Sequence, residues 1–173
     1  MKVNAKGRFN TVEIVSGALI AALYAVLCYL TSFIPTIGGV FQFRISEALT
    51  ILPYFTASAI PGLTIGCLIV NVLMGAGIYD VIFGTLATLI GAVGTWLLRK
   101  RSKWLTPLPP ILANTIIMPF VIALVSGTPE SIPFFFLSVG LGELVCCGVF
   151  GMLLMITLEK NNLFAKADKL SDK

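Results

Sequence analysis

The chain has 173 residues, 57% of them hydrophobic and 12% charged, with a mean hydropathy of +0.98. That balance excludes an ordinary water-soluble domain and identifies a polytopic membrane protein. The net charge of +4 gathers mostly at the termini and in one loop, which reads as membrane topology and not as nucleic-acid binding.

A span needs ~20 apolar residues to cross ~30 Å of hydrocarbon, and on that measure the chain divides into six within a single membrane domain, 1–173. The first covers 13–34 and ends at Pro35 and the "PTIGG" run. No small-residue cleavage site follows a short apolar core there, so the expectation is an uncleaved first span. A short second span over 44–59 carries Pro53, and the third, 61–75, opens on Pro61. These two are also compatible with one broken segment. The fourth covers 79–98 and stops at Arg99. After the basic loop "RKRSKWLTPLPP" come the fifth, 110–127, and the sixth, 133–158. Six crossings put Lys2, Lys6, Arg8, the Arg99–Lys103 loop and the C-terminal tail on one side, which the distribution of Lys and Arg assigns to the cytoplasm. The expected class is therefore an all-α integral membrane bundle with both termini cytoplasmic, in the plasma membrane.

Charge inside such a chain needs a reason. Between Ile14 and Leu98 the charged side chains are Arg44, Glu47 and Asp80 alone. Arg44 and Glu47 stand three apart at the outer end of the second span, on one face if that segment is helical. They are either interfacial residues pairing with each other or part of a site. Glu143 lies about ten residues into the sixth span, ~15 Å deep at 1.5 Å per residue and hence near the midplane. Asn71, Asp80, Asn114 and Gln42 add polar groups on other spans and loops. Pooled, these seven residues outline an outward-facing pocket of carboxylates and amides, walled by Phe41, Phe43, Tyr79 and Phe136. Asn71 and Asn114 equally suit interhelical hydrogen bonding, and Asp80 equally suits a helix cap.

Down the first span Gly17, Ala18, Ala21, Ala22 and Ala25 recur at three- and four-residue spacing. Such a small-residue strip permits close helix approach, either within the chain or to a separate membrane subunit. Cys28, Cys67, Cys146 and Cys147 lie in apolar segments without a CxxC, and the chain has no His, so no metal site is expected. The absence of His, HExxH and GxSxG also argues against an enzyme. No GxxxxGK[ST] occurs, so the chain has no P-loop ATP site of its own.

The runs "FQFRISEALTILPYF", "PGLTIGCLIVN" and "YDVIFGTLATLIGA" resemble the queuosine-precursor transporter family (QueT), a substrate-binding S component of energy-coupling factor (ECF) transporters. The resemblance extends from Ala18 to Leu158. It implies a six-helix protein that captures a queuosine precursor outside, a 7-deazaguanine such as 7-aminomethyl-7-deazaguanine. It also implies partnership with an ECF module: a transmembrane T subunit and two cytoplasmic ATPases that use the ATP, leaving no cofactor in this chain. In S components the first helix docks the T subunit through an AxxxA strip, matched here by Ala18 and Ala22 or by Ala21 and Ala25. For such a ligand the expectation is Glu143 in one of two carboxylate roles, with Arg44 holding Glu47 in place and ionised. Two alternatives from other classes remain. One is a self-contained secondary carrier of another vitamin-like or nucleobase-like solute, and the other is a purely structural subunit.

Overall fold

A computed structural model describes residues 11–33 and 44–161, and every described element is helical. Four apolar helices are long enough to cross a membrane: α1 (Thr11–Ser32), α3 (Asp80–Leu98), the segment Lys103–Ser126 that contains α4 (Leu108–Ser126), and α5 (Ile132–Asn161). Between α1 and α3 lie a 3-10 helix, Ile45–Tyr54, and the shorter apolar helix α2 (Ala59–Leu73).

Backbone chemistry fixes the ends. Helix α4 opens on Pro109 and Pro110, where a missing N–H costs nothing, and closes at Gly127, whose φ of 68° only glycine adopts without strain. Helix α2 closes on Gly75 (φ 66°) in a Schellman motif: Ala76 N–H donates to Asn71 C=O at 2.9 Å and Gly75 N–H to Val72 C=O at 3.1 Å.

Helices α1 and α2 run parallel. A Cβ on Gly62 would fall 2.6 Å from Gly17 C=O, and one on Gly66 would fall 2.8 Å from Ala21 C=O, so the two backbones touch through these glycines. Parallel neighbours require the chain to return between them, and the 3-10 helix lies in that return. The remaining pairs are antiparallel: α2 with α3 through Cys67–Thr88, α3 with α4 through Gly91–Pro110, α4 with α5 through Thr115–Gly140. Consequently Thr11, the basic loop and Asn161 share one end of the bundle, where Lys103 Nζ pairs with Glu159 at 3.2 Å.

The second expected span departs from the sequence reading. Over the expected span 44–59 there is a ten-residue 3-10 helix, ~20 Å long at 2.0 Å per residue. Two local causes are visible. Thr50 Oγ1 donates to Glu47 C=O at 2.6 Å, competing for the acceptor that an α-turn would use, and Pro53 has no N–H for Leu49. Ser46 through Pro53 are all buried, so this piece is the bundle's core element, packed among Tyr24, Leu63, Cys67 and Val70. It does not face lipid.

Helix α5 is continuous but changes pitch. Leu144–Gly151 is a π-helical stretch directly after Glu143, and a shorter one, Asp80–Gly84, opens α3. Wide turns of this kind re-aim side chains and gather at functional sites.

Candidate ligand-binding site

Glu47 and Glu143 meet in the interior, 1% and 8% exposed. Glu47 comes from the 3-10 helix and Glu143 from α5 where the π stretch begins. Tyr24 of α1 donates its phenol O–H to Glu47 Oε1 at 2.5 Å, and Asn114 of α4 presents Nδ2 to Oε2 at 3.5 Å. On the other carboxylate, Cys147 Sγ donates to Glu143 Oε2 at 3.1 Å and also reaches Glu47 C=O at 3.3 Å. Four elements thus converge on two carboxylates.

A carboxylate oxygen of each and the Cys147 sulfur all lie within 4.8 Å of one another, a spacing a metal ion also spans. A thiol binds metal only when deprotonated, whereas here Cys147 donates to Glu143.

Arg44 corrects one expectation. Its guanidinium is within electrostatic reach of both glutamates, yet the ion pair within 4 Å among the described residues is Lys103–Glu159, not Arg44–Glu47. Arg44 is the N-cap of the 3-10 helix, extended at φ −114° and ψ 93°, and makes no side-chain cap hydrogen bond. Its C=O accepts from Glu47 N–H at 2.9 Å. Tyr24 and Asn114 hydrogen-bond the Glu47 carboxylate, and Arg44 acts on it through charge from beyond 4 Å.

The remaining sequence-predicted residues divide. Asn114 joins the pair. Asn71 is buried but faces the α2–α3 connection, its Nδ2 3.5 Å from Cys67 Sγ and 3.5 Å from Asp80 C=O. Asp80 is half-exposed at the start of α3, with Oδ2 3.6 Å from where a Gly77 Cβ would stand. Gln42, Phe41 and Phe43 lie outside the described residues. Phe136 packs edge-on against Phe120, centroids 5.6 Å apart, and Tyr79 is exposed. On α1, Ala21 and Ala25 turn inward, while Ala18 and Ala22 are exposed.

Tyr24 and Cys147 were not singled out as site residues by the sequence reading, although both left a signal. A tyrosine in the middle of an apolar span needs a partner for its O–H. Cys147 follows Glu143 by four, the spacing at which helical side chains meet.

An acceptor-rich buried pair of carboxylates inside an apolar bundle suits capture of a solute, and the sequence comparisons bear on which family uses it. Residues 14–160 match the family described as QueT transporter. The chain belongs to the QueT transporter family. Over 81 residues the chain is 40% identical to the protein named Queuosine precursor transporter QueT of Lactococcus lactis subsp. cremoris (strain MG1363), covering 47% of this chain and 47% of that relative. The match spans about half the length of that curated relative. No solved structure matches the chain. QueT membership together with four membrane-length apolar helices identifies a multi-pass membrane protein of a transporter family.

Proposed function

We propose that this protein is the substrate-binding S component of an ATP-driven ECF importer and that it captures a queuosine precursor, 7-aminomethyl-7-deazaguanine or a related deazaguanine, from outside the cell. The observation that carries the reading is the Glu47–Glu143 pair. Two buried carboxylates, held by a phenol, an amide and a thiol, with one guanidinium in electrostatic reach and no cation within 4 Å among the described residues, suit a cationic, donor-rich molecule. The proposed ligand offers an ammonium at one end and adjacent ring N–H donors beside a carbonyl at the other. One glutamate accepts the ring donors in a bidentate manner, the second neutralises the ammonium, and Asn114 or Arg44 donates to the carbonyl.

The same reading retains six crossings with both termini cytoplasmic, the 3-10 helix and α2 supplying the second and third. It assigns ATP use to partner ATPases, since no P-loop sequence is present. It gives the exposed Ala18–Ala22 register to the T subunit, because Gly17 and Ala21 are already occupied by α2.

Titrating the purified protein with 7-aminomethyl-7-deazaguanine and with guanine tests the assignment. Binding of the former at least tenfold tighter supports it, and equal affinity would remove the ammonium from the recognition. Uptake in cells that persists without ATP hydrolysis would favour a self-contained secondary carrier.

A further inference from the structure

Helices α3 and α4 cross closely at the end that carries the basic loop. A Cβ on Gly94 would stand 2.4 Å from Pro109 Cβ, and one on Gly91 would stand 2.7 Å from Pro110 Cα. Beside this crossing the helix surfaces leave an apolar groove of about 380 Å³, lined by Ile90, Gly94, Pro109, Leu112, Ala113 and Ile116 among others. Its volume falls in the ~300–1,000 Å³ range of small-molecule sites, but its lining has no hydrogen-bonding side chain, so its occupant there is a hydrocarbon chain.

Charge decides what kind. The groove ends near the loop that joins its two helices, only five residues from Gly94 to Arg99. Lys103 in that loop is already paired with Glu159. Arg99, Lys100 and Arg101 have no carboxylate within 4 Å among the described residues, and Arg99 lies with its guanidinium 4.2 Å from the Trp96 ring centroid. Trp104, 66% exposed, stands at the same level, where an indole sits at a headgroup boundary. Three cations unpaired among the described residues, in the loop that ends the groove, match one molecule in charge and apolarity together.

We infer that the α3–α4 groove binds an acyl chain of an anionic phospholipid whose headgroup is held by Arg99, Lys100 and Arg101. Basic pockets beside transmembrane helices recognise anionic headgroups. The occupant is therefore phosphatidylglycerol-like and not zwitterionic, and it binds independently of the Glu47–Glu143 site.

The protein carries its own probe, since its two tryptophans, Trp96 and Trp104, both lie at this end. In vesicles mixing phosphatidylcholine and phosphatidylglycerol, bromine is placed on the chains of one lipid or the other and quenching of intrinsic fluorescence is compared. At equal mole fraction the expected preference for brominated phosphatidylglycerol is on the order of tenfold in apparent association. The combined variant Arg99→Gln, Lys100→Gln, Arg101→Gln, all on exposed or half-exposed positions, abolishes that preference, and Ala113→Phe, which fills the groove, reduces it. Ratios within each variant cancel the change in Trp96 emission caused by losing Arg99. Equal quenching by the two lipids in the unmodified protein would overturn the inference, and so would its survival in the triple variant. A preference lost in the triple variant but unchanged in Ala113→Phe would also overturn it, since the headgroups would then adsorb to the loop without using the groove. If Ala113→Phe fails to fold, Ile116→Phe on the exposed wall of the groove gives the same reading.

Discussion

Tyr24 reaches from one helix to a carboxylate on another, and removing its oxygen alone isolates that contact. Tyr24→Phe keeps the ring and leaves Glu47 Oε1 buried without its donor. The expected cost is ~1.5–3 kcal/mol, as for a hydrogen bond to a charged group, read as a lowered midpoint in thermal unfolding of the purified protein. An unchanged midpoint would show that Glu47 has another support. Glu143→Gln acts on the ligand instead: it should weaken 7-aminomethyl-7-deazaguanine binding by ~2 kcal/mol, roughly thirtyfold in Kd, because a charge-assisted bond is lost. Unchanged affinity in titration would remove Glu143 from the site. At this scale the sequence was partly legible. Glu47, Glu143 and Asn114 declared themselves through the cost of polar groups in an apolar chain, whereas Asn71 carried the same signal and reaches the Asp80 C=O at the α2–α3 connection.

Between elements, the deciding contact is glycine against backbone on α1 and α2. Gly66→Leu drives a side chain into Ala21 C=O and Tyr24 Cβ, 2.8 and 3.1 Å from the new Cβ, and should unfold or displace α1. Ala22→Leu, on the exposed side of the same helix, should leave ligand binding intact while abolishing co-purification with a T subunit. Loss of both together would mean that the outer register also packs internally. Spacing alone offered two equivalent AxxxA registers, because α1 is apolar all round and has no polar face to orient it. Glycines on the partner helix break the tie, and that information resides in tertiary contact. The 3-10 helix was hidden for a related reason: its apolar composition reads as a span, and only Thr50 and Pro53 hint that the α-helical ladder fails there.

For the molecule as a whole, alternation of helices places Lys100 and the described chain ends together and Ala76 opposite. All four cysteines are buried, so new ones introduced in loops can be read over a quiet background. With the orientation assigned from Lys and Arg, Ala76→Cys should react with an impermeant thiol reagent in intact cells and Lys100→Cys should not. The reverse pattern would invert the topology and with it the outward pocket. Gly38, another position expected outside, lies beyond the described residues. Interior depth was readable from hydropathy along the chain. The return path between parallel α1 and α2 was not, since parallel packing is a property of pairs.

The thiol of Cys147 also keeps time. Buried against Glu143 and Glu47, it becomes available to a permeant alkylating reagent only when the surrounding turns part, so its modification rate measures how often the interior opens. A solute held by the two glutamates occupies the closed form alone and slows that clock by mass action, about a hundredfold at a hundred times its dissociation constant. Cys28, near the far end of α1, should tick at its own pace, and the gap between the two rates, followed by mass spectrometry over hours, turns an equilibrium occupancy into a measured lifetime.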